Sequence, residues 1–133
     1  SQLKRIETFI EKRDKVARLY TEKLKSLDFV RPPVVKPYAR MSWFIYVVTL
    51  KDGLNRDEVI KKMEDEGIPT RGYFSPIHLQ PYIKGMFGCK EGMLPVTENI
   101  ARRTLALPFH NNLKEEEIDE VIEVLKRAVD NVI

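Results

Sequence analysis

Between residues 2 and 27 neither proline nor glycine interrupts the chain, and apolar side chains return at Leu3, Ile6, Phe9, Ile10, Val16, Ala17, Tyr20, Leu24 and Leu27. This spacing predicts one amphipathic helix. About 26 residues at ~1.5 Å rise make a rod of about 39 Å, long for a small domain and able to reach a neighbour. Leu3, Ile10, Ala17 and Leu24 fall at heptad spacing, with Ile6, Tyr20 and Leu27 beside them, but Arg13 breaks the seam. Packing on its own domain therefore explains the helix better than a coiled coil, which needs a longer clean seam.

Arg31-Pro32-Pro33 ends this unit and opens an extended linker through Pro37. Residues 43–50, dense in aromatic and β-branched side chains, read as a strand, and their lack of strict alternation predicts cover on both faces. Asp52-Gly53 makes a turn. Asn55, with Glu58 three residues on, caps a short helix whose buried stripe is Val59, Ile60 and Met63 and which Gly67 stops. Residues 68–73 read as a short strand. Further on, Thr97 caps a helix to about Arg103, residues 105–107 form a strand closed by Pro108, and Asn111-Asn112 turns the chain. The last helix starts near Leu113 and puts Ile118, Val121, Ile122, Leu125, Ala128 and Val129 on one face. Its first turns carry Glu115, Glu116, Glu117 and Asp119 and its end Lys126 and Arg127, as the helix dipole favours. The order predicts an α+β domain: a small, mostly antiparallel sheet covered by helices, with a long N-terminal helix.

One stretch stands apart. Residues 71–82, Arg71-Gly72-Tyr73-Phe74-Ser75-Pro76-Ile77-His78-Leu79-Gln80-Pro81-Tyr82, gather aromatic, cationic and amide groups around two prolines. Proline pushes its predecessors, Ser75 and Gln80, toward extended or turn geometry, so an ordered loop is expected here rather than a helix. Polar loops held on a rigid frame are where sites concentrate. His78 is either a hydrogen-bonding or titrating group of a site or a solvent-exposed loop side chain. Arg71 either grips a carboxylate or phosphate or pairs with a neighbouring acid at a strand end. Tyr73, Phe74 and Tyr82 suit an aromatic wall or ordinary packing. His110, in Phe109-His110-Asn111-Asn112, belongs to a turn.

Composition narrows the classes. The 133 residues make one domain, 1–133, and 43% hydrophobic with 32% charged residues is the balance of a soluble globular protein. No apolar run approaches the ~18 residues of a membrane span, and the polar first residues do not form a signal peptide. A single cysteine, Cys89, excludes an internal disulfide and favours a reducing compartment, with the cytoplasm expected. A net charge of +3 spread over mixed charges gives no basic face for nucleic acid. Two histidines and one cysteine offer no metal-ligand spacing. Gly85, Gly88 and Gly92 are too irregular for a phosphate-binding loop. The chain begins at Ser1, which suits a piece of a longer protein.

The loop and its flanks resemble the C-terminal small domain of the DegT/DnrJ/EryC1/StrS sugar aminotransferases, which use pyridoxal phosphate. The matching pieces run in order: Gln2-Leu3 opening the first helix, Ser42-Trp43-Phe44-Ile45-Tyr46-Val47-Val48, Gly67-Ile68-Pro69-Thr70-Arg71, and Tyr73-Phe74-Ser75-Pro76-Ile77-His78-Leu79-Gln80-Pro81-Tyr82. Leu94-Pro95-Val96-Thr97-Glu98, Leu105-Ala106-Leu107-Pro108-Phe109 and Glu115-Glu116-Glu117-Ile118-Asp119 complete them. The resemblance implies a fold type I enzyme whose large domain lies outside this chain and carries the Schiff-base lysine, the acid facing the pyridine nitrogen and most of the phosphate cradle. It implies no catalytic or cofactor-binding residue here and no transamination by the chain alone. In the parent, an amino acid, commonly glutamate, would give its amino group to a ketone on a nucleotide-linked sugar, within a homodimer whose subunits shape each cleft together. It places His78 on the sugar side of the cleft, with Gln80, Tyr73, Arg71 and Tyr82 as lining or support.

Some positions depart from the family pattern. Gly72 stands where proline is common, Lys114 replaces a threonine N-cap, and His110 and Cys89 sit where aromatic residues are frequent. Two other readings compete: a stand-alone metabolite-binding or regulatory module, and an interaction module working through the first helix.

Overall fold

A computed structural model describes residues 2–132. In chain order, a 3-10 turn (Gln2–Arg5) leads into α1 (Ile6–Leu24), β1 (Val30–Arg31), β2 (Tyr46–Leu50), α2 (Arg56–Asp65) and β3 (Arg71–Gly72). A second 3-10 turn (Ile77–Leu79), α3 (Pro81–Phe87), α4 (Pro95–Arg103), β4 (Thr104–Leu107) and α5 (Glu115–Asp130) follow. The sheet is antiparallel throughout and ordered β1-β2-β4-β3. It is an α+β fold, as the element order predicts.

The central pair, β2 and β4, joins segments far apart in sequence, with Tyr46 opposite Leu107 and Val48 opposite Leu105. Tyr46, Val48 and Leu50 are buried, whereas Val47 and Thr49 between them are half-buried. The sheet thus has one dry face and one partly covered face, and β2 is not sealed on both sides as its dense apolar run suggests. On the dry face the stripes of α1, α2 and α5 join the strands in one cluster that includes Tyr20, Leu24, Met63, Ile118 and Leu125. All six expected residues of α5 are buried there, with Val124 added.

One boundary differs from expectation because an aromatic side chain is drawn into the core. The strand read over residues 43–50 starts only at Tyr46, because Trp43 takes the left-handed region (φ 41°) and turns its ring inward. That ring lies 5.7 Å from Tyr46 and 6.5 Å from Phe109, and its Nε1 donates to Asp14 Oδ1 on α1 at 3.2 Å. Tyr20 stacks on Tyr46 at 4.9 Å and donates its hydroxyl to the Pro108 carbonyl at 2.9 Å. Thr21 donates to the Ala17 carbonyl, so its oxygen accepts from the Tyr46 hydroxyl at 2.8 Å. These contacts clamp α1 to the sheet by its second half. The N-terminal end is open: Leu3 in the preceding turn and Ile6 at the start of α1 are exposed, and α1 ends at Leu24 rather than near Leu27.

Elsewhere local chemistry decides. Asn55 accepts from the N–H groups of Asp57 and Glu58 and starts α2 as expected. At α5 the missing threonine cap is partly replaced, because Glu117 accepts the Lys114 N–H at 2.7 Å. Lys23 of α1 reaches Glu115 at 2.9 Å and Asp119 at 2.6 Å, tying the two helices. The strand expected over 68–73 shrinks to Arg71–Gly72. The helix expected from a Thr97 cap begins earlier, with Pro95 in its first position, where the missing N–H costs no hydrogen bond. The loop read over 71–82 ends early for the same reason: Gln80 is extended as expected, but Pro81 opens α3.

Burial pushes the Tyr46 hydroxyl up to about 12, and burial raises Tyr20 further. An unfolded tyrosine ionises near ~10, so the folded state holds these protons more tightly and stability falls as pH rises from about 10 to about 12. Replacing Tyr46 by Phe is expected to flatten this alkaline slope in denaturant titrations run across that range. An unchanged slope would assign the loss to other groups.

Candidate functional site

The segment after β3 is held by one carboxylate. Glu98, in the first turn of α4, is 3% exposed. Its Oε1 accepts from the Gly92 N–H at 2.9 Å, the Leu94 N–H at 3.2 Å and His78 Nε2 at 2.9 Å, and its Oε2 also takes the Gly92 N–H at 2.9 Å. Gly92 can aim its N–H inward because it adopts φ 87°, a region other residues rarely enter. Arg102, one turn along α4, places Nη2 3.8 Å from Oε2 and donates Nε to the Glu98 carbonyl at 3.3 Å. The His78 bond, then the Gly92 and Leu94 N–H groups, hold this carboxyl below the usual carboxylate range despite its burial.

His78 is 9% exposed and lies in the 3-10 turn closed by Leu79 N–H to the Pro76 carbonyl and Gln80 N–H to the Ile77 carbonyl, each 3.0 Å. It is not the solvent-exposed loop histidine that composition alone allows. One side of the ring faces Glu98, and the residue also lines a groove of about 740 Å³ with Phe74, Ile77, Ile83, Val96 and Ile100. That volume suits a small-molecule ligand, and apolar walls with few polar groups are typical of such sites.

Tyr73 and Phe74 meet edge to face at 4.8 Å and form a wall shared by this groove and two neighbouring hollows. One, about 370 Å³, is lined by Arg71, Phe44, Ile45 and Phe109 as well. The other, about 220 Å³, is lined by Arg56, Glu91 and Arg102. The fold therefore gathers His78 with Tyr73 and Tyr73 with Arg71, which lies exposed on β3 with no ion pair among the described residues. Gln80 and Tyr82 are exposed at the start of α3 and line none of these three hollows. His110 stays in its turn, where Nδ1 accepts the Asn112 N–H at 3.3 Å.

Gly72 does more than loosen the approach to the loop. A Cβ there would stand 2.8 Å from Arg56 Nη1, which donates to the Ala101 carbonyl at 2.7 Å and the Thr104 carbonyl at 3.4 Å. The bare backbone of β3 lets the first side chain of α2 reach the end of α4. Glu98 itself escapes sequence reasoning. Its only local signal is a carboxylate in the first turn behind Pro95, which reads as a helix-dipole residue.

Comparison with known proteins places the whole chain. The model of the DegT/DnrJ/EryC1/StrS aminotransferase family matches residues 1–126. The chain is 33% identical to the spore coat polysaccharide biosynthesis protein SpsC of Bacillus subtilis, over 96% of this chain and 34% of that protein. It is 32% identical to dTDP-4-dehydro-2,3,6-trideoxy-D-glucose 4-aminotransferase of Saccharopolyspora spinosa, over 98% of this chain and 32% of that protein. The crystal structure of a DegT DnrJ EryC1 StrS aminotransferase from Brucella abortus superposes with a TM-score of 0.80 at 34% identity, covering 96% of this chain and 33% of that one. The chain thus spans about a third of the length of the curated relatives it matches.

Because Glu98 is held ionised, its contribution to stability is complete above the ordinary carboxylate range of ~4.3 and is lost as pH falls through its own depressed value. Glu98→Gln is expected to lower stability at neutral pH and to flatten the acid limb of a denaturation-versus-pH curve. Retention of the wild-type acid limb would locate that sensitivity in another carboxylate.

Proposed function

The chain belongs to the DegT/DnrJ/EryC1/StrS aminotransferase family, and from that premise we propose that it is the C-terminal small domain of a pyridoxal-phosphate-dependent sugar aminotransferase. The observation that carries this reading is that the match runs through nearly the whole chain while filling only a third of each relative. The remaining two-thirds would form the large domain, with the Schiff-base lysine and the acid that faces the pyridine nitrogen. In the same reading, glutamate gives up the amino group and a ketone of a nucleotide-linked sugar receives it, in the cytoplasm. When bound, pyridoxal phosphate supplies the electron sink and carries the amino group between the two half-reactions.

The residues on this chain fit a supporting part. No lysine lines any of the three hollows around the loop, which favours a Schiff-base partner from outside it. His78 and Tyr73 would border the sugar, His78 through a hydrogen bond and Tyr73 with Phe74 as an apolar wall. Arg71, free at the sheet edge, would meet an anionic group of a substrate. Gln80 and Tyr82 would complete the lining from the start of α3, on surface shared with the large domain or the second subunit of a homodimer. Exposure of Phe74, Ile77, Tyr82, Phe87, Met93 and Val96 within residues 74–96 supports such cover, since an apolar concentration of this kind marks a contact surface.

The ligand-sized groove equally suits a stand-alone metabolite module, and experiment separates the two. Supplied with pyridoxal phosphate, glutamate and a nucleotide-linked keto-sugar, the 133-residue chain is expected to yield no aminated sugar by mass spectrometry, whereas the protein encoded by the complete reading frame yields it. Product from the chain alone would overturn the requirement for a large domain, and a reading frame without a large α/β domain upstream would replace the aminotransferase reading with the metabolite module. In the complete enzyme, His78→Ala should lower kcat/KM for the keto-sugar by about tenfold, the scale of one hydrogen bond, without loss of folded protein. Unchanged kinetics would remove His78 from the sugar side.

A further inference from the structure

The bond between His78 and Glu98 does more than anchor the turn, because its two partners differ in what they can offer. A carboxylate that is ionised accepts hydrogen bonds and cannot donate them. Glu98 is committed in this way: the Gly92 and Leu94 N–H groups, which can only donate, point at the oxygen that also meets His78 Nε2. The remaining approach, from Arg102, is cationic. The proton between the imidazole and the carboxylate therefore belongs to Nε2, and in the neutral ring Nδ1 carries the lone pair.

Nδ1 has no hydrogen-bond partner among the described residues, yet it is not among their buried unpartnered side-chain atoms, where Arg103 Nε alone stands. It is therefore reachable, and the residue lines the apolar groove.

We propose that Glu98 is a positioning residue that fixes His78 as the Nε2–H tautomer, so that the ring offers Nδ1 as an acceptor and selects a ligand group that donates. That group is a hydroxyl or an N–H; a ketone or phosphate oxygen brings no proton and gains nothing from Nδ1. On the proposed reading of the groove as the sugar side, which this inference rests on, His78 recognises a sugar hydroxyl and leaves the diphosphate and the reacting carbonyl to other groups. The mechanism is orientation: an acceptor-only partner locks the proton on Nε2, and without it the ring is free to exchange between tautomers.

The test is two- and three-bond proton–nitrogen correlation spectroscopy of the histidine-labelled 133-residue chain at neutral pH, with His78 assigned by its loss in His78→Ala. Wild-type protein is expected to show a protonated Nε2 and an unprotonated Nδ1. A protonated Nδ1, in either the opposite tautomer or a doubly protonated ring, would overturn the proposal. In Glu98→Gln, whose amide both donates and accepts, the pattern is expected to become a mixture of tautomers; a variant that keeps pure Nε2–H with a dispersed, folded spectrum would show that Glu98 does not set it. The wild-type spectrum decides the tautomer even where the variant fails to fold. The two readings fail separately, since unchanged sugar kinetics in His78→Ala would remove the sugar contact and leave the tautomer standing.

Discussion

A carboxylate withdrawn from water has to be met by donors, and the organisation of the loop region follows from that requirement at Glu98. Four groups converge on it from three places in the chain: His78 in the 3-10 turn, the Gly92 and Leu94 N–H groups before α4, and Arg102 one turn further along. Each is positioned by something else, the turn by its own backbone bonds, Gly92 by its left-handed conformation, and Arg102 by the helix. Burial of the charge therefore acts as a constraint on geometry, because most rearrangements of residues 78–94 would leave Glu98 short of partners. A region rich in exposed apolar side chains and poor in regular structure acquires a defined shape from it.

The loop borrows its frame from an aromatic cluster of the core. Tyr20, Trp43, Tyr46 and Phe109 pack ring against ring, and the tyrosine hydroxyls are bonded to Pro108 and Thr21. Phe109 also lines the hollow that holds Arg71, so the same ring that closes the core forms part of a candidate site wall. Core and site share material here, as expected where a domain of 133 residues has little to spare.

Features governed by near neighbours were legible in the sequence. The Asn55 cap, the apolar stripe of α5 and the strand before Pro108 all rest on interactions within a few residues, and all stand where the pattern puts them. Prolines were harder: Pro81 reads as part of a loop and the pattern starts the next helix only at a Thr97 cap, yet Pro81 and Pro95 serve as first residues of helices. Trp43 was harder still: apolar density does not distinguish a strand residue from an aromatic ring turned into the core through a positive φ. The site divides in the same way. A loop carrying Tyr73 and His78 could be singled out from composition, but the burial of His78 depends on Glu98, 20 residues away, and no local pattern encodes a pairing at that distance.

The contact between Gly72 and Arg56 ties a bare backbone position on β3 to a side chain on α2. The position of Gly72 leaves no room for a Cβ against the guanidinium, which in turn supplies carbonyl partners at the end of α4. A proline at 72 would set ring atoms where that guanidinium now lies, and a chain with that proline has to end α4 by other means. The two residues, 16 positions apart and on different elements, therefore act as a pair: a side chain at 72 pushes the Arg56 guanidinium aside, and its contacts with the Ala101 and Thr104 carbonyls go with it.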